Sequence, residues 1–237
     1  MCGRYVLFSS AREIAQEFEL NTVVHVEPRY NISPSQELFA VRIDNEKSPS
    51  KMEPILLKWG LIPSWTKNLS SSAALINARC ETIMSKPAFR YSFRKRRILI
   101  PSNGFYEWKK PQHGKRQAYL IHFEGFKLFA FAGIYDEWKT PNGKIIKTCA
   151  ILTKRSANSI KSIHDRMPVI LDKSDHAMWL DASETEAQKL KGIFDLPSEG
   201  LFKITPVSAM VNNPRNESRD CIKPVLIQRD NNTASVT

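Results

Sequence analysis

The sequence predicts an α+β fold with a β-rich core of antiparallel strands and peripheral helices. Between residues 36 and 153, short runs rich in β-branched and aromatic residues are separated by Gly, Pro and Asn, which is typical of strands joined by tight turns. The clearest helical periodicity lies outside this region. A chain of 237 residues can bury a single core without disulfides or cofactors. We therefore expect one domain over residues 1–227, followed by a polar, disordered tail at 228–237.

The first elements are a short strand and a helix. Ser10 and Glu13 have the spacing of a capping box, in which each side chain accepts a hydrogen bond from the other residue's backbone N–H. Apolar residues recur at helical spacing around them and share one face, namely Ala11, Ile14, Ala15 and Phe18. The pattern predicts a helix that packs this face against the core.

Seven apolar runs then predict the strands of the core: ELFAVRI, PILLKWG, RILIP, GFYEWK, AYLIHF, KLFAFAGIY and IIKTCAILT. Turn signals at His113-Gly114 and at Pro141-Asn142-Gly143 favour antiparallel hairpins. The last predicted elements are two helices and a strand, at 174–181 with Ser174 as the cap, at 184–194 and at 201–207.

The charge favours an anionic partner such as nucleic acid. There are 35 Lys and Arg against 24 Asp and Glu, which gives a net charge of +11. A membrane partner is disfavoured because no run of 18 apolar residues occurs and the start, MCGRYVLFSS, lacks the apolar stretch of a signal peptide. We expect a soluble cytoplasmic protein, nucleoid-associated if the source is a bacterium.

The four cysteines stand at positions 2, 80, 149 and 221, a spacing that does not suit a zinc site. Cys2 differs from the others because removal of Met1 leaves its α-amine beside its thiol. Such a pair can attack an acyl carbon, or its amine can condense with an aldehyde to an imine that the thiol closes into a thiazolidine. The competing interpretation is a small, buried apolar residue at the start of the first strand.

Three further polar residues are candidates for chemistry. Glu107 lies between Tyr106 and Trp108 on a predicted strand, where it is either an inward acid/base with a raised pKa or an outward surface residue. His164, in IHDRMP, either transfers protons or is a loop histidine whose ring is used only for capping or local hydrogen bonds. Asn77, in LINARCET, either orients a reacting group or caps a turn.

Basic and aromatic residues are concentrated in KPAFRYSFRKRR, residues 86–97. This mixture suits nucleic acid, but a helix or loop anchored to the core through Phe89 and Phe93 explains it more economically. Near KWGLIPSW we expect Trp59 in the core and Trp65 on the surface, where an exposed ring can stack on bases.

Six motifs, taken together and in order, resemble the SOS-response-associated peptidase (SRAP) family, the abasic-site processing proteins. They are MCGRY, YNISPS (30–35), KWGLIPSW (58–65), INARCET (76–82), GFYEWK (104–109) and HDRMPVIL (164–171), and they extend over about residues 1–225. The resemblance implies the barrel-like SRAP fold. It also implies a function: binding of single-stranded DNA, including single-strand/double-strand junctions, and capture of an abasic-site aldehyde as a thiazolidine, with no cofactor.

The resemblance assigns a role to each candidate. Cys2 would be the nucleophile, Glu107 and His164 the acid/base pair, and Asn77 the residue that orients the reacting groups. Phosphates would be contacted by Arg4, Arg79 and Arg166, and bases by Pro34 and Trp65. Two positions depart from the family pattern: threonine follows Trp65, where some relatives carry a second tryptophan, and Cys80 replaces a residue that is usually not a thiol.

Two other functions remain open. A glutamine amidotransferase of the N-terminal-cysteine class also begins with Met-Cys-Gly, but it requires a glutamine pocket and usually a synthetase domain, and it gives the positive charge no role. A non-covalent single-strand-binding module, in which Cys2 is structural, would bind DNA in a salt-sensitive way and ignore abasic sites. In each case we expect a monomer, and removal of Met1 is either autocatalytic or the work of an aminopeptidase.

Overall fold

The computed structural model describes residues 2–22, 25–44, 51–67, 74–109, 116–184, 187–194 and 202–226. The predicted tail at 228–237 and the predicted turn at His113-Gly114 lie outside these ranges. No helix within them is long and apolar enough to cross a membrane.

Thirteen strands and five short helices are present in this part of the chain. The strands are β1 Tyr5–Leu7, β2 Arg29–Ile32, β3 Glu37–Ile43, β4 Met52–Trp59, β5 Asn77–Arg79, β6 Arg97–Ser102, β7 Gly104–Lys109, β8 Gln117–Phe123, β9 Phe129–Lys139, β10 Ile145–Arg155, β11 Arg166–Pro168, β12 Ile170–Leu171 and β13 Phe202–Val207. The helices are α1 Ala11–Glu17, α2 Arg90–Lys95, α3 Asn158–Lys161, α4 His176–Leu180 and α5 Ala187–Gly192.

The strands form two sheets, and the larger one closes on itself. Five strands pair in the order β13-β8-β7-β1-β2. In the second sheet β10, β4, β3, β6 and β9 are neighbours in that order, and β9 pairs with β10 again, so these five strands make a closed barrel. The pairs are antiparallel except where β10 meets β4 and β5. The predicted β-rich, barrel-like α+β fold is therefore confirmed.

Both faces of the smaller sheet are covered. One face packs into the main core, to which Tyr5, Phe105 and Ile121 belong. The other face carries a separate apolar cluster that includes Tyr106 and Leu120. Successive residues of β7 therefore enter different apolar environments, because side chains alternate across a strand.

Local signals placed most elements correctly. The capping box is present, with the Ser10 backbone N–H donating to Glu13 Oε2 at 2.7 Å and the Glu13 N–H donating to Ser10 Oγ at 3.2 Å. The turn between β9 and β10 has Gly143 at φ +86°, a conformation that glycine adopts without strain. The predicted cap at Ser174 is wrong: this residue lies within a 3₁₀ turn, Lys173–Asp175, and α4 begins after it without a side-chain cap.

Candidate active site

Cys2 lies shortly before β1 and is fully buried. Its carbonyl oxygen accepts a hydrogen bond from Asn77 Nδ2 at 2.8 Å. Since Asn77 begins β5, which pairs with β10, this bond joins the amino-terminal end of the chain to the larger sheet. The main chain of Cys2 is thereby held in place next to a polar side chain from the other sheet.

The amide of Asn77 has a defined orientation. A carbonyl only accepts hydrogen bonds, so the atom facing Cys2 must be the amide nitrogen. The other side-chain atom, Asn77 Oδ1, is buried and has no hydrogen-bond partner among the residues described. Beside the Cys2 backbone there is therefore an acceptor available for an N–H or O–H group.

Glu107 faces the main core from β7, on the side opposite Tyr106, and is only 2% exposed. Of the two sequence interpretations, the inward one is correct. Burial raises the pKa of Glu107 to about 7, and the negative charge of Asp165 adds to the rise. A carboxyl group with this pKa can both accept and return a proton near neutral pH.

The thiol of Cys2 interacts electrostatically with the carboxylate of Glu107. Burial first, and then the charge of Glu107, raise the pKa of Cys2 well above its ordinary range. Cys149 is also buried, and its pKa is raised by burial alone. The side chain of Cys2 is therefore buried like that of Cys149. In addition, the carboxyl group of Glu107 acts on its thiol, and the side-chain amide of Asn77 binds its backbone carbonyl.

His164 occupies the turn between α3 and β11, where its side chain is 26% exposed. Its Nδ1 accepts a hydrogen bond from the backbone N–H of Arg166 at 2.9 Å and lies 3.0 Å from Asp165 Oδ1. In the neutral ring the first contact places the proton on Nε2. When the ring is protonated, Asp165 is the partner that Nδ1–H can use.

Ser156 fixes this turn from the end of β10. Its backbone N–H donates to the Asp165 carbonyl at 3.0 Å, and its hydroxyl donates to the carbonyl of His164. Asp165 also raises the pKa of Glu107, so the turn that carries His164 lies within electrostatic range of that carboxyl group. The four predicted catalytic residues are thus connected through hydrogen bonds or electrostatic interactions, directly or by way of Asp165.

The three predicted phosphate-binding arginines differ in their surroundings. Arg79 is exposed. Arg166 is buried, and its guanidinium donates to Glu81 through two hydrogen bonds of 2.6 and 2.9 Å and to the Thr153 carbonyl at 2.6 Å. The predicted phosphate contact of Arg79 disrupts no ion pair among the described residues, whereas that of Arg166 requires its guanidinium to be shared with Glu81.

Arg4 is also engaged inside the protein. Its Nη1 donates to Asn31 Oδ1 at 2.7 Å and to the Val211 carbonyl at 2.6 Å, and its guanidinium lies 5.8 Å from the ring centre of Trp108. Burial lowers the pKa of Arg4 from its ordinary value. A phosphate contact of Arg4 stays a prediction, and its structural partners are now defined.

The two predicted base-contacting residues lie at the surface to different degrees. Trp65 is 65% exposed, whereas Trp59 is buried, as expected. Pro34 is half-buried in the turn after β2. The loop that presents Trp65 is held on both sides: the Ser64 N–H donates to Asp136 Oδ2 at 2.8 Å and the Thr66 carbonyl accepts from Trp138 Nε1 at 2.7 Å.

Sequence reasoning missed the partners that support the site. Glu81 and Ser156 are ordinary polar residues in sequence, and only the pairing of β10 with its neighbours places them. The buried Asn31 was missed as well, although it lies within a quoted motif: its Nδ2 donates to the carbonyls of Asn213 and Asn216 at 3.0 and 2.7 Å. Within the described ranges, no group of three His, Cys, Asp or Glu side chains could hold a metal.

The chain matches one family over most of its length. The sequence model of the family described as SOS response associated peptidase (SRAP) matches residues 1–214. The chain is 36% identical over 226 residues to the abasic site processing protein YoqW of Bacillus subtilis (strain 168), with 94% of this chain and 99% of that protein covered. It is 33% identical over 240 residues to the abasic site processing protein HMCES of Mus musculus, with 86% and 67% covered.

Solved structures share the fold. A crystal structure of a protein from Bacteroides thetaiotaomicron superposes with a TM-score of 0.83 at 22% identity and covers 95% of this chain and 100% of that one. A phage-related protein from Bordetella bronchiseptica has a TM-score of 0.69 at 29% identity, with 87% and 94% covered.

Proposed function

Because the chain belongs to the SOS response associated peptidase (SRAP) family, we propose that it is an abasic-site processing protein that links Cys2 covalently to DNA. In this proposal it binds single-stranded DNA as a monomer, including DNA at single-strand/double-strand junctions, and captures the ring-opened sugar aldehyde. Its curated relatives are named abasic site processing proteins, which supports the general activity. The covalent mechanism is argued from the site itself.

One observation carries the proposal: the main chain of Cys2 is bound by Asn77 within the electrostatic reach of Glu107. A core cysteine needs neither neighbour. A residue whose amine and thiol must both react with one carbon atom needs its backbone fixed and a proton acceptor nearby.

Removal of Met1 is the first step. Hydrolysis of the Met1–Cys2 peptide bond consumes one water and gives Cys2 a free α-amine, whose ordinary pKa lies near 8. The free acceptor Asn77 Oδ1 can receive a hydrogen bond from this amine. The lone pair on nitrogen is then directed away from Asn77, towards an incoming aldehyde.

Ring opening of the abasic sugar is assigned to His164. The sugar is a closed hemiacetal for most of the time, and its ring oxygen must gain a proton as the aldehyde forms. The protonated ring of His164 can supply this proton from Nε2–H, which leaves a neutral imidazole that keeps its proton on Nδ1. Asp165, 3.0 Å from Nδ1, stabilises the protonated ring before the transfer.

The amine reacts before the thiol. Because burial keeps the pKa of Cys2 high, the thiol remains protonated, whereas a neutral amine attacks the aldehyde carbon without any thiolate. Loss of one water gives the imine. Glu107 then accepts the thiol proton, sulfur adds to the imine carbon, and nitrogen takes up a proton to complete the thiazolidine.

The experiment is a denaturing gel of untagged protein mixed with single-stranded DNA that carries one abasic site. Undamaged DNA, the Cys2→Ala variant and an N-terminally tagged protein serve as controls, and intact mass verifies loss of Met1. We expect a slowly migrating band only with abasic DNA and with protein that has lost Met1 and retains Cys2.

Other outcomes would replace the proposal. An adduct that survives Cys2→Ala, or forms equally well with a blocked amine, would overturn the thiazolidine mechanism. Release of ammonia from glutamine without any adduct would establish the amidotransferase. Salt-sensitive binding that ignores both the abasic site and Cys2→Ala would establish the binding module.

The acid/base roles have their own test. Glu107→Gln and His164→Ala should each slow single-turnover adduct formation by about 10²-fold, because each removes one proton-transfer step. Rates equal to those of the unaltered protein would make both residues structural.

A further inference from the structure

We infer that Arg155 is a further phosphate-binding residue, which joins Arg79 and Arg166 in one arginine ridge beside the active site. The inference rests on the proposed function, because the ligand is the backbone of the DNA strand whose sugar is captured. It does not depend on the covalent step, and the experiment below separates the two.

Strand register places the three arginines together. In β10, Ile151 lies opposite Asn77 of β5, and Thr153 lies opposite Arg79. On the other edge of β10, Arg155 lies opposite Arg166 of β11. Alternate residues of a strand lie on the same face, and residues opposite each other in neighbouring strands do as well. Arg155 therefore lies on the same face of the sheet as Asn77 and Arg79 of β5.

Contacts of neighbouring side chains confirm which face this is. Glu81, two residues after Arg79, binds Arg166 on this side of the strands. Lys154 lies on the opposite side, where its Nζ donates to the Phe194 carbonyl at 2.8 Å. The side of Arg155 is therefore the side of the reacting residues.

The ridge has more positive charge than the fold requires. Arg155 and Arg166 are directly opposite across two antiparallel strands, an arrangement that is destabilising for like charges. Glu81 neutralises Arg166. Arg79 and Arg155 are exposed, and neither forms an ion pair with any residue in the described ranges. Two uncompensated guanidinium groups at the rim of a site suit phosphates, which bind arginine bidentately.

The position of Arg155 also limits how far from the captured sugar its phosphate can lie. It is four residues along β10 from the position opposite Asn77, or about 13 Å at 3.3 Å per residue. It directly precedes Ser156, which holds the turn of His164. We expect a contact within about four nucleotides of the captured sugar, since stacked nucleotides are spaced by about 3.4 Å along a strand.

The test is equilibrium binding of undamaged single-stranded DNA to the full chain at several salt concentrations. Arg155→Gln should weaken binding by roughly tenfold and reduce the slope of log affinity against log salt by about 0.7, the value for one phosphate contact on a single strand. Arg94→Gln is the matched control and should match the unaltered protein, since Arg94 is also exposed but lies in α2, which contacts β6 and β9. Arg155→Lys should restore most of the slope of log affinity against log salt, because it keeps the positive charge.

Thermal unfolding verifies that Arg155→Gln remains folded. Binding and slope equal to those of Arg94→Gln would overturn the inference. With abasic DNA well below saturation, Arg155→Gln should form adduct more slowly, in proportion to its weaker binding. If the unaltered protein forms no adduct, the covalent proposal fails, while the salt dependence of Arg155→Gln still decides the role of the ridge.

Discussion

The two arginine-rich regions of this protein use the same residue type in opposite ways. The segment 86–97 holds six basic residues close together in sequence, yet Arg96 forms an ion pair with the buried Asp136, and Arg97 is buried. The arginine ridge combines Arg79 of β5 with Arg155 and Arg166 of β10 and β11, which lie much further along the chain. Local density of charge therefore does not define the proposed binding surface, which follows from strand register instead.

Hydrogen bonding explains the contrast. The Arg97 guanidinium donates to the carbonyls of Phe93, Trp179 and Asp181, which ties α2 to the end of α4. Burial lowers the pKa of Arg97 to about 10, so Arg97 remains charged at neutral pH. The dipoles of these carbonyl groups stabilise its charge. At the ridge, Arg79 and Arg155 have no such partners among the described residues.

The largest expected effect is on stability and concerns Arg97 in the segment 86–97. Arg97→Ala leaves several buried carbonyls without donors and creates a cavity, so it should lower the free energy of unfolding by about 3–5 kcal/mol. Chemical denaturation would measure this. Arg79→Ala is the matched control and should stay within about 0.5 kcal/mol of the unaltered protein, because its side chain is exposed. Equal losses of unfolding free energy for Arg97→Ala and Arg79→Ala would contradict the contrast between the two regions.

A second prediction concerns the charge buried at the site. The pKa of Glu107 is about 7 in the folded chain, raised from 4.5, so the folded state keeps a proton that the unfolded state has lost between those pH values. Stability therefore falls as pH rises from 4.5 to 7, and the cost is fully present above pH 7. Glu107→Gln should raise the free energy of unfolding by up to about 3 kcal/mol at pH 8 and hardly change it at pH 4.

Glu81→Gln is the control of opposite sign. The guanidinium of Arg166 lowers the pKa of Glu81, so its contribution to stability is present above the unfolded pKa and is lost as pH falls through the folded pKa. Glu81→Gln should therefore destabilise the protein at pH 8, where Glu107→Gln stabilises it. Unfolding measured at pH 4 and 8 compares them, and a loss of stability for Glu107→Gln at pH 8 would refute the buried-charge account.

A third prediction sharpens the contrast through DNA affinity. Arg79→Ala should weaken binding of single-stranded DNA by roughly tenfold at low salt, with a smaller loss at high salt, because one phosphate contact disappears. Arg90→Ala, in the exposed part of the first region, should change binding less than twofold. Fluorescence anisotropy at two salt concentrations measures both, and a larger loss for Arg90→Ala would return the binding surface to the segment 86–97.

Sequence reasoning reached the fold because its longer elements leave local signals, whereas the catalytic roles of the candidate residues stay predictions. Alternating apolar runs gave β3 and β7 with their observed bounds, and chemistry alone singled out Cys2. The short strands β2, β5, β11 and β12 were missed, since two to four residues carry no periodicity and they form only where a longer strand offers an edge. The internal partners of Arg4 and Arg166 were missed for the same reason: they depend on non-local register.

The smallest expected effect isolates one hydrogen bond. Ser156→Ala removes the hydroxyl that donates to the His164 carbonyl, while the Ser156 N–H still binds Asp165. Adduct formation should slow by a few-fold, since misplacing a proton donor weakens catalysis without removing it, and Ser156→Thr should restore the rate.

A second substitution separates positioning from stability. In a His164→Ala background, Ser156→Ala should have no further effect on the rate, because the group that it positions is gone. Ser102→Ala, which removes a buried hydroxyl bonded to the Val6 carbonyl at 3.2 Å, lowers stability without this dependence on His164. If the rate losses of Ser156→Ala and His164→Ala multiplied, the serine would act on folding rather than on the histidine. The bond at the end of β10 would then be comparable to those around Arg97, which serve the fold alone.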